Sequence, residues 1–122
     1  MSKIVLLAED DEDNRDLVSF ALKRSHLNVE LLVAENGQVA VRLAREKKPN
    51  LILMDMQMPV MDGWTAVSIL KADDKTKGIP IIAFTAQTKP EDEKRTHEIG
   101  CVDHCPKPMD PAELVVIIEK YI

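Results

Sequence analysis

The chain has 122 residues, room for one compact domain and not two, so residues 1–122 are read as a single domain; 45% apolar and 30% charged residues exclude a disordered segment. A net charge of −5, with 16 Lys and Arg scattered among 21 acidic residues, argues against direct nucleic-acid binding. The longest apolar runs, such as Ile4 to Ala8, cannot span a bilayer and no leader pattern opens the chain, so a cytoplasmic protein without membrane contact is expected.

Lys3 to Ala8 is a short run of nearly consecutive apolar residues, as expected of a strand covered on both faces, and Glu9, Asp10 and Asp11 follow it. Leu17, Phe20 and Ala21 then recur at helical spacing and predict the buried stripe of a first helix, with Asp11, Glu12 and Asp13 as its solvated entry. The second strand, Val29 to Ala34, is interrupted by Glu30, which suits an edge position, and Val39, Ala40, Leu43 and Ala44 mark the helix after it. Leu51 to Met54 is the third strand, and it runs directly into Asp55. Met54, Met56, Met58 and Met61 read as core and loop filling rather than a cofactor site, Asp62 as a helix N-cap, and Trp64, Val67 and Leu70 as the stripe of the third helix.

Ile79 to Phe84 forms the fourth strand and ends at Thr85. Thr88, Pro90 and Glu91 carry an N-cap, an early proline and an acid at the start of the fourth helix, and Gly100 fits the left-handed position that ends it. That helix has almost no apolar residue besides Ile99, so it is expected to be weakly anchored. Val102 to Cys105 is the fifth strand. Cys101 and Cys105 would lie about 13 Å apart along it, beyond disulfide reach, so both read as buried free thiols. A metal site of Cys101, His104 and Cys105 is disfavoured, since a strand points His104 away from Cys105. Asp110, Pro111 and Glu113 open the fifth helix, where Leu114, Ile117, Ile118 and Tyr121 share a buried stripe and Val116 falls on the far side.

Five strands alternating with five helices imply a doubly wound α/β fold, because right-handed crossovers place helices on both faces of a parallel sheet. Ligands of such sheets bind outside the carboxyl ends of the strands, where Glu9, Asp10, Asp11, Asp55, Thr85 and Lys107 fall. Gathered carboxylates repel one another and call for a compensating cation, and hard oxygen donors favour Mg²⁺. Asp55 could then act as a nucleophile toward phosphorus, with Lys107 as a point charge and the Thr85 hydroxyl as a hydrogen-bond donor to a phosphoryl oxygen.

Glu9-Asp10, the segment Asp55 to Gly63 (DMQMPVMDG), Thr85-Ala86 and Lys107-Pro108 resemble, in order and spacing along essentially the whole chain, the landmark motifs of the receiver (CheY-like) domains of two-component response regulators. The resemblance implies the flavodoxin-like strand order 2-1-3-4-5 and Asp55 as phosphoacceptor. It also implies a Mg²⁺ site of Glu9, Asp10, Asp55 and the Gln57 backbone carbonyl, with switch and charge-pairing roles for Thr85 and Lys107. Glu9 and Asp10 are favoured as the acidic pair, although Asp11 lengthens the run and a reading one residue later stays open. The implied donor is a sensor histidine kinase or a histidine phosphotransfer protein. The implied output is a downstream protein bound through the fourth helix, fifth strand and fifth helix, and a phosphorylation-dependent dimer is compatible with it.

Lys107-Pro108 matches a position of a cis peptide in receivers, and Gln57 and Gln87 flank the path of a water that would hydrolyse the acyl phosphate. His104 stands where many receivers carry an aromatic switch residue; an inward-swinging role and a plain surface role both stay open. Two other functions are weighed: a hydrolase working through an aspartyl phosphate, which would need a substrate pocket and a general acid, and a pseudo-receiver, which the full set of reactive residues argues against. The chain ends directly after the fifth helix, so a receiver without an output domain, whether a full gene product or a fragment, is the expectation.

Overall fold

The computed structural model describes residues 3–85, 90–107 and 110–122. Five strands and five helices alternate along them: β1 (Lys3–Ala8), α1 (Glu12–Arg24), β2 (Val29–Ala34), α2 (Gly37–Lys47), β3 (Leu51–Asp55), α3 (Gly63–Ala72), β4 (Ile81–Thr85), α4 (Pro90–Glu98), β5 (Asp103–Pro106) and α5 (Pro111–Tyr121). All strand pairs are parallel and the order is β2-β1-β3-β4-β5, the doubly wound order implied by the motifs. β2 is at an edge, as Glu30 suggested.

The apolar runs become strands because both of their faces are covered. Val5, Leu7, Leu51, Leu53, Ile82 and Phe84 face Val18 and Leu22 of α1 and Leu114 and Ile118 of α5. Leu6, Ile52, Met54, Ile81 and Ala83 face Ala40, Val41 and Ala44 of α2 and Ala66, Val67 and Leu70 of α3. Helix starts follow side-chain chemistry: Asp11, Asn36, Asp62 and Asp110 each accept a hydrogen bond from a backbone N–H of the first turn. Gly100 ends the segment after α4 at φ 113, a conformation that favours glycine.

Five expectations need correction. Phe20 is 55% exposed, with the Arg24 guanidinium stacked on its ring; the buried face of α1 is Val18, Ala21 and Leu22, turned toward α5. β3 extends through Asp55, and β4 begins at Ile81, so Ile79 packs from the preceding loop. β5 begins at Asp103, which leaves Cys101 before the strand and Val102 exposed. Both cysteines are nevertheless buried and free, and burial pushes each thiol up to about 11. Tyr121 and Ile117 are only partly buried beside Leu114 and Ile118, while Val116 is exposed as expected. Thr88 as N-cap of α4 and the Lys107-Pro108 bond lie outside the described residues.

Candidate functional site

Strand register assembles the site. Ala8 pairs with Met54, so the next residues, Glu9 and Asp55, leave the sheet side by side. Asp55 pairs with Phe84 and Thr85 with Pro106, which brings Thr85 and Lys107 to the same end; the Lys107 backbone N–H donates to the Thr85 carbonyl at 3.0 Å. Glu9 and Asp55 are buried, Asp10 is exposed, and carboxylate oxygens of the three lie within 4.8 Å of one another.

Lys107 bridges the two buried acids, its Nζ 2.8 Å from Glu9 Oε2 and 2.9 Å from Asp55 Oδ2. The second Asp55 oxygen, Oδ1, accepts the Gln57 backbone N–H at 3.0 Å. Burial raises the Asp55 carboxyl from 3.8 to about 6, against the lowering effect of the Gln57 N–H and the Lys107 ammonium, while the Glu9 charge adds to the rise. Burial alone would lower Lys107; its close contacts with the Glu9 and Asp55 carboxylates outweigh that and hold it above the ordinary lysine range. At neutral pH Asp55 is therefore mostly ionised and poorly solvated, and Lys107 stays an ammonium.

Three carboxylates against one ammonium leave two negative charges, which one divalent cation would balance. Glu9 Oε2 is fully buried and faces Lys107 without a well-aligned hydrogen bond, so acceptor capacity remains inside the cluster. This donor set of hard oxygens fits Mg²⁺. Asp11 is used differently: its carboxylate caps α1 through the Asp13 N–H at 2.8 Å. Gln57 lies in the loop after β3 with its side chain exposed, and Gln87 lies outside the described residues.

Two supports of the site were not foreseen. Arg15 Nη1 donates to the Glu9 and Asp10 carbonyls at 3.2 and 3.1 Å and so fixes the acidic loop to α1; its place one turn into the helix after the acidic run was the available signal. In the loop after Asp55, Met61 N–H donates to the Pro59 carbonyl at 2.7 Å across Val60, which has φ 67. A β-branched residue there is strained by about 1–3 kcal/mol. Gly63 is demanded by proximity, since a Cβ would sit 2.3 Å from the Asp55 carbonyl oxygen. His104 Nε2 lies 3.0 Å from Glu93 Oε1 on α4, so the ring is turned toward that helix and is partly exposed.

Comparison with known proteins agrees with this geometry. The family model described as the response regulator receiver domain matches residues 5–119. The polar-differentiation response regulator DivK of Brucella anthropi is 37% identical over 122 residues, covering 100% of this chain and 98% of its own. The chemotaxis protein CheY4 of Vibrio cholerae superposes with a TM-score of 0.89 at 27% identity, over 100% of both chains. The receiver domain of the sensor histidine kinase PA1611 from Pseudomonas aeruginosa, solved with a magnesium ion in its active-site cleft, gives 0.88 at 30% identity over 99% of this chain and 98% of its own. Fold, strand order and family match together establish that this chain belongs to the response regulator receiver domain family of two-component signalling.

Proposed function

We propose that this chain is the phosphoacceptor of a two-component phosphorelay, with Asp55 receiving the phosphoryl group. The observation that carries the proposal is the meeting of Glu9, Asp10 and Asp55 oxygens within 4.8 Å, with Lys107 bridging two of them. An Asp55 oxygen attacks phosphorus while the bond from phosphorus to the donor imidazole breaks, which leaves an acyl phosphate on Asp55. Burial disfavours charge on Asp55, and Lys107 and the Gln57 N–H hold its carboxylate in place for attack.

Glu9, Asp10, Asp55 and the Gln57 backbone carbonyl would hold Mg²⁺, as the magnesium-bound PA1611 receiver does with its own cleft. When bound, the ion supplies charge neutralisation for the phosphoryl oxygens. Lys107 pairs with the incoming charge as a point cation, and the Thr85 hydroxyl, at the end of β4, donates to a phosphoryl oxygen and passes the modified state to α4. A sensor histidine kinase or histidine phosphotransfer protein is the donor. A downstream protein is the target, bound on α4, β5 and α5, where Val116 is 68% exposed. The exchange with these partners is placed in the cytoplasm; among the described residues no helix is long and apolar enough to cross a membrane.

Asp55→Asn and Asp55→Ala should each abolish labelling by a small-molecule phosphodonor, as should removal of Mg²⁺ with a chelator. Acid-stable label persisting in either variant would overturn the assignment. Asp10→Ala should weaken Mg²⁺ binding more than Asp11→Ala, because Asp11 spends its carboxylate on the helix cap.

A further inference from the structure

The sheet has two edges and they are finished differently. β5 has four residues, ends in Pro106, and is overlaid by Tyr121, whose hydroxyl donates to Asp103 Oδ2 at 3.0 Å and lies 3.3 Å from the Val102 carbonyl. A short strand, a proline and a covering side chain are the usual means of closing an edge. β2 has six residues, no proline and one charged residue, Glu30, and among the described residues no strand lies on its outer side. The Asn28 carbonyl accepts from Lys3 of β1 and the Ala34 carbonyl from Glu9 just after it, so by alternation Val29, Leu31 and Val33 direct their N–H and C=O groups outward. Their side chains floor a trough between β2 and α1, in which Val33 is 41% exposed.

We propose that this edge pairs with the edge of a second copy of the chain, the two β2 strands running antiparallel about a two-fold axis at Leu31. Such an interface is self-complementary by construction: Val29 meets the second copy's Val33, and Leu31 meets its own equivalent, each as a hydrogen-bonded pair. The helix beside the edge carries a matching pattern. Asp16, Ser19 and Lys23 line the same trough at a spacing of three and four residues, one stripe of α1. α1 returns antiparallel to β2, so Asp16 lies toward Val33, Ser19 toward Leu31 and Lys23 toward Val29.

Rotation about Leu31 then sets each Asp16 against the other copy's Lys23, twice, with the small Ser19 at the centre. Among the described residues neither Asp16 nor Lys23 has an ion pair within the chain, whereas Arg15 beside them is committed to the Glu9 and Asp10 carbonyls. An unrelated extended peptide could also add to an open edge, but it would bring no counterpart to the charges of Asp16 and Lys23, whereas a second copy of the chain matches both.

The test is sedimentation equilibrium of the full chain without phosphodonor, so that its result is independent of the role of Asp55. A concentration-dependent dimer is expected, with Asp16→Lys and Lys23→Asp each weakening it by roughly tenfold, since each replaces two attractions by two repulsions. An equimolar mixture of the two variants should recover wild-type dimerisation, because one chain then presents a lysine at both positions and the other an aspartate at both, which restores attraction at each contact. Far-UV circular dichroism checks that both variants fold. A wild-type chain that stays monomeric to millimolar concentration overturns the proposal. So does a dimer indifferent to both charge reversals, or one broken by Val116→Glu on the opposite edge, or a monomer that takes up an extended peptide at β2 instead.

Discussion

Helices α3 and α4 lie on the same side of the sheet and each follows a strand that ends in the site, yet they are held by different forces. α3 places Ala66, Val67 and Leu70 at zero exposure in the core beneath it. Among the described side chains of α4, Thr96 alone is buried, and its hydroxyl bonds back to the Glu93 carbonyl of its own helix. What joins α4 to its surroundings is polar: the Arg95 guanidinium over the Trp64 ring at 4.0 Å, and Glu93 against His104. Ile99, just past its end, adds a partly buried apolar contact. Asp55 therefore borders a helix that is costly to move, and Thr85 borders one that is not, which is the asymmetry that the proposed switch on α4 requires.

The largest expected effect lies on the rigid side. Leu70→Ala should cost about 2–5 kcal/mol in urea unfolding, as for other fully buried leucines, and no single replacement in α4 should approach it. An α4 variant of equal cost would remove the distinction between the two helices.

The next effect comes from the charge that the rigid side carries. Burial raises folded Asp55 from 3.8 to about 6, so between those values the folded chain keeps a proton that the unfolded chain has released. The stabilisation this gives is complete below about pH 3.8 and is lost as pH rises through 6, a ceiling of about 3 kcal/mol. Asp55→Asn should therefore make the metal-free protein more stable at pH 7 by up to about 3 kcal/mol, with the gain vanishing near pH 4. Mg²⁺ should narrow the difference at pH 7 by stabilising the wild type alone. Equal unfolding midpoints for the two proteins at pH 7 without metal would show that the buried carboxylate is fully compensated by Lys107.

The sequence displayed the fold because strands covered on both faces read as unbroken apolar runs, as Leu51 to Met54 does; Ile79 to Phe84 does so as well, except that Pro80 interrupts it and the strand begins at Ile81. It displayed Glu9, Asp55, Thr85 and Lys107 because each sits at the end of such a run or just beyond it, and parallel register brings those ends together. Phe20 was misplaced because a helical period accommodates Leu17, Phe20 and Ala21 as readily as Val18, Ala21 and Leu22, and only the position of α5 decides between them. Asp10 and Asp11 differ equally locally: the Asp11 carboxylate turns back to cap α1, while an Asp10 oxygen lies within 4.8 Å of those of Glu9 and Asp55. The apolar poverty of α4 was visible, but its replacement anchors join residues 31 apart, Trp64 and Arg95, and 11 apart, Glu93 and His104, through contacts with no periodic signature.

Of those anchors the Arg95 stack should matter more. A guanidinium over an indole face contributes about 0.5–1 kcal/mol at an exposed site, so Arg95→Ala should lower stability by about that amount. Its larger signature is local: amide exchange in residues 91–98 should quicken while residues 63–72 stay protected. Equal acceleration in both helices would mean that the stack supports the whole face rather than α4 alone.

The smallest effect is expected at Glu93 and His104. Their side chains are 47% and 33% exposed and the pair forms an ion pair only while His104 is protonated, so Glu93→Gln should change global stability by less than about 1 kcal/mol, within the range of surface pairs. The pair nevertheless spans the junction between α4 and β5, the elements proposed to change together on phosphorylation. If it holds α4 in the unphosphorylated arrangement, Glu93→Gln should raise affinity for the downstream partner before phosphorylation and leave the phosphorylated affinity nearly unchanged, because a contact present in one state shifts the equilibrium only by what it contributes there. Equal effects on both affinities would assign Glu93 to the binding surface itself, and no effect on either would leave the Trp64–Arg95 stack as the contact that positions α4.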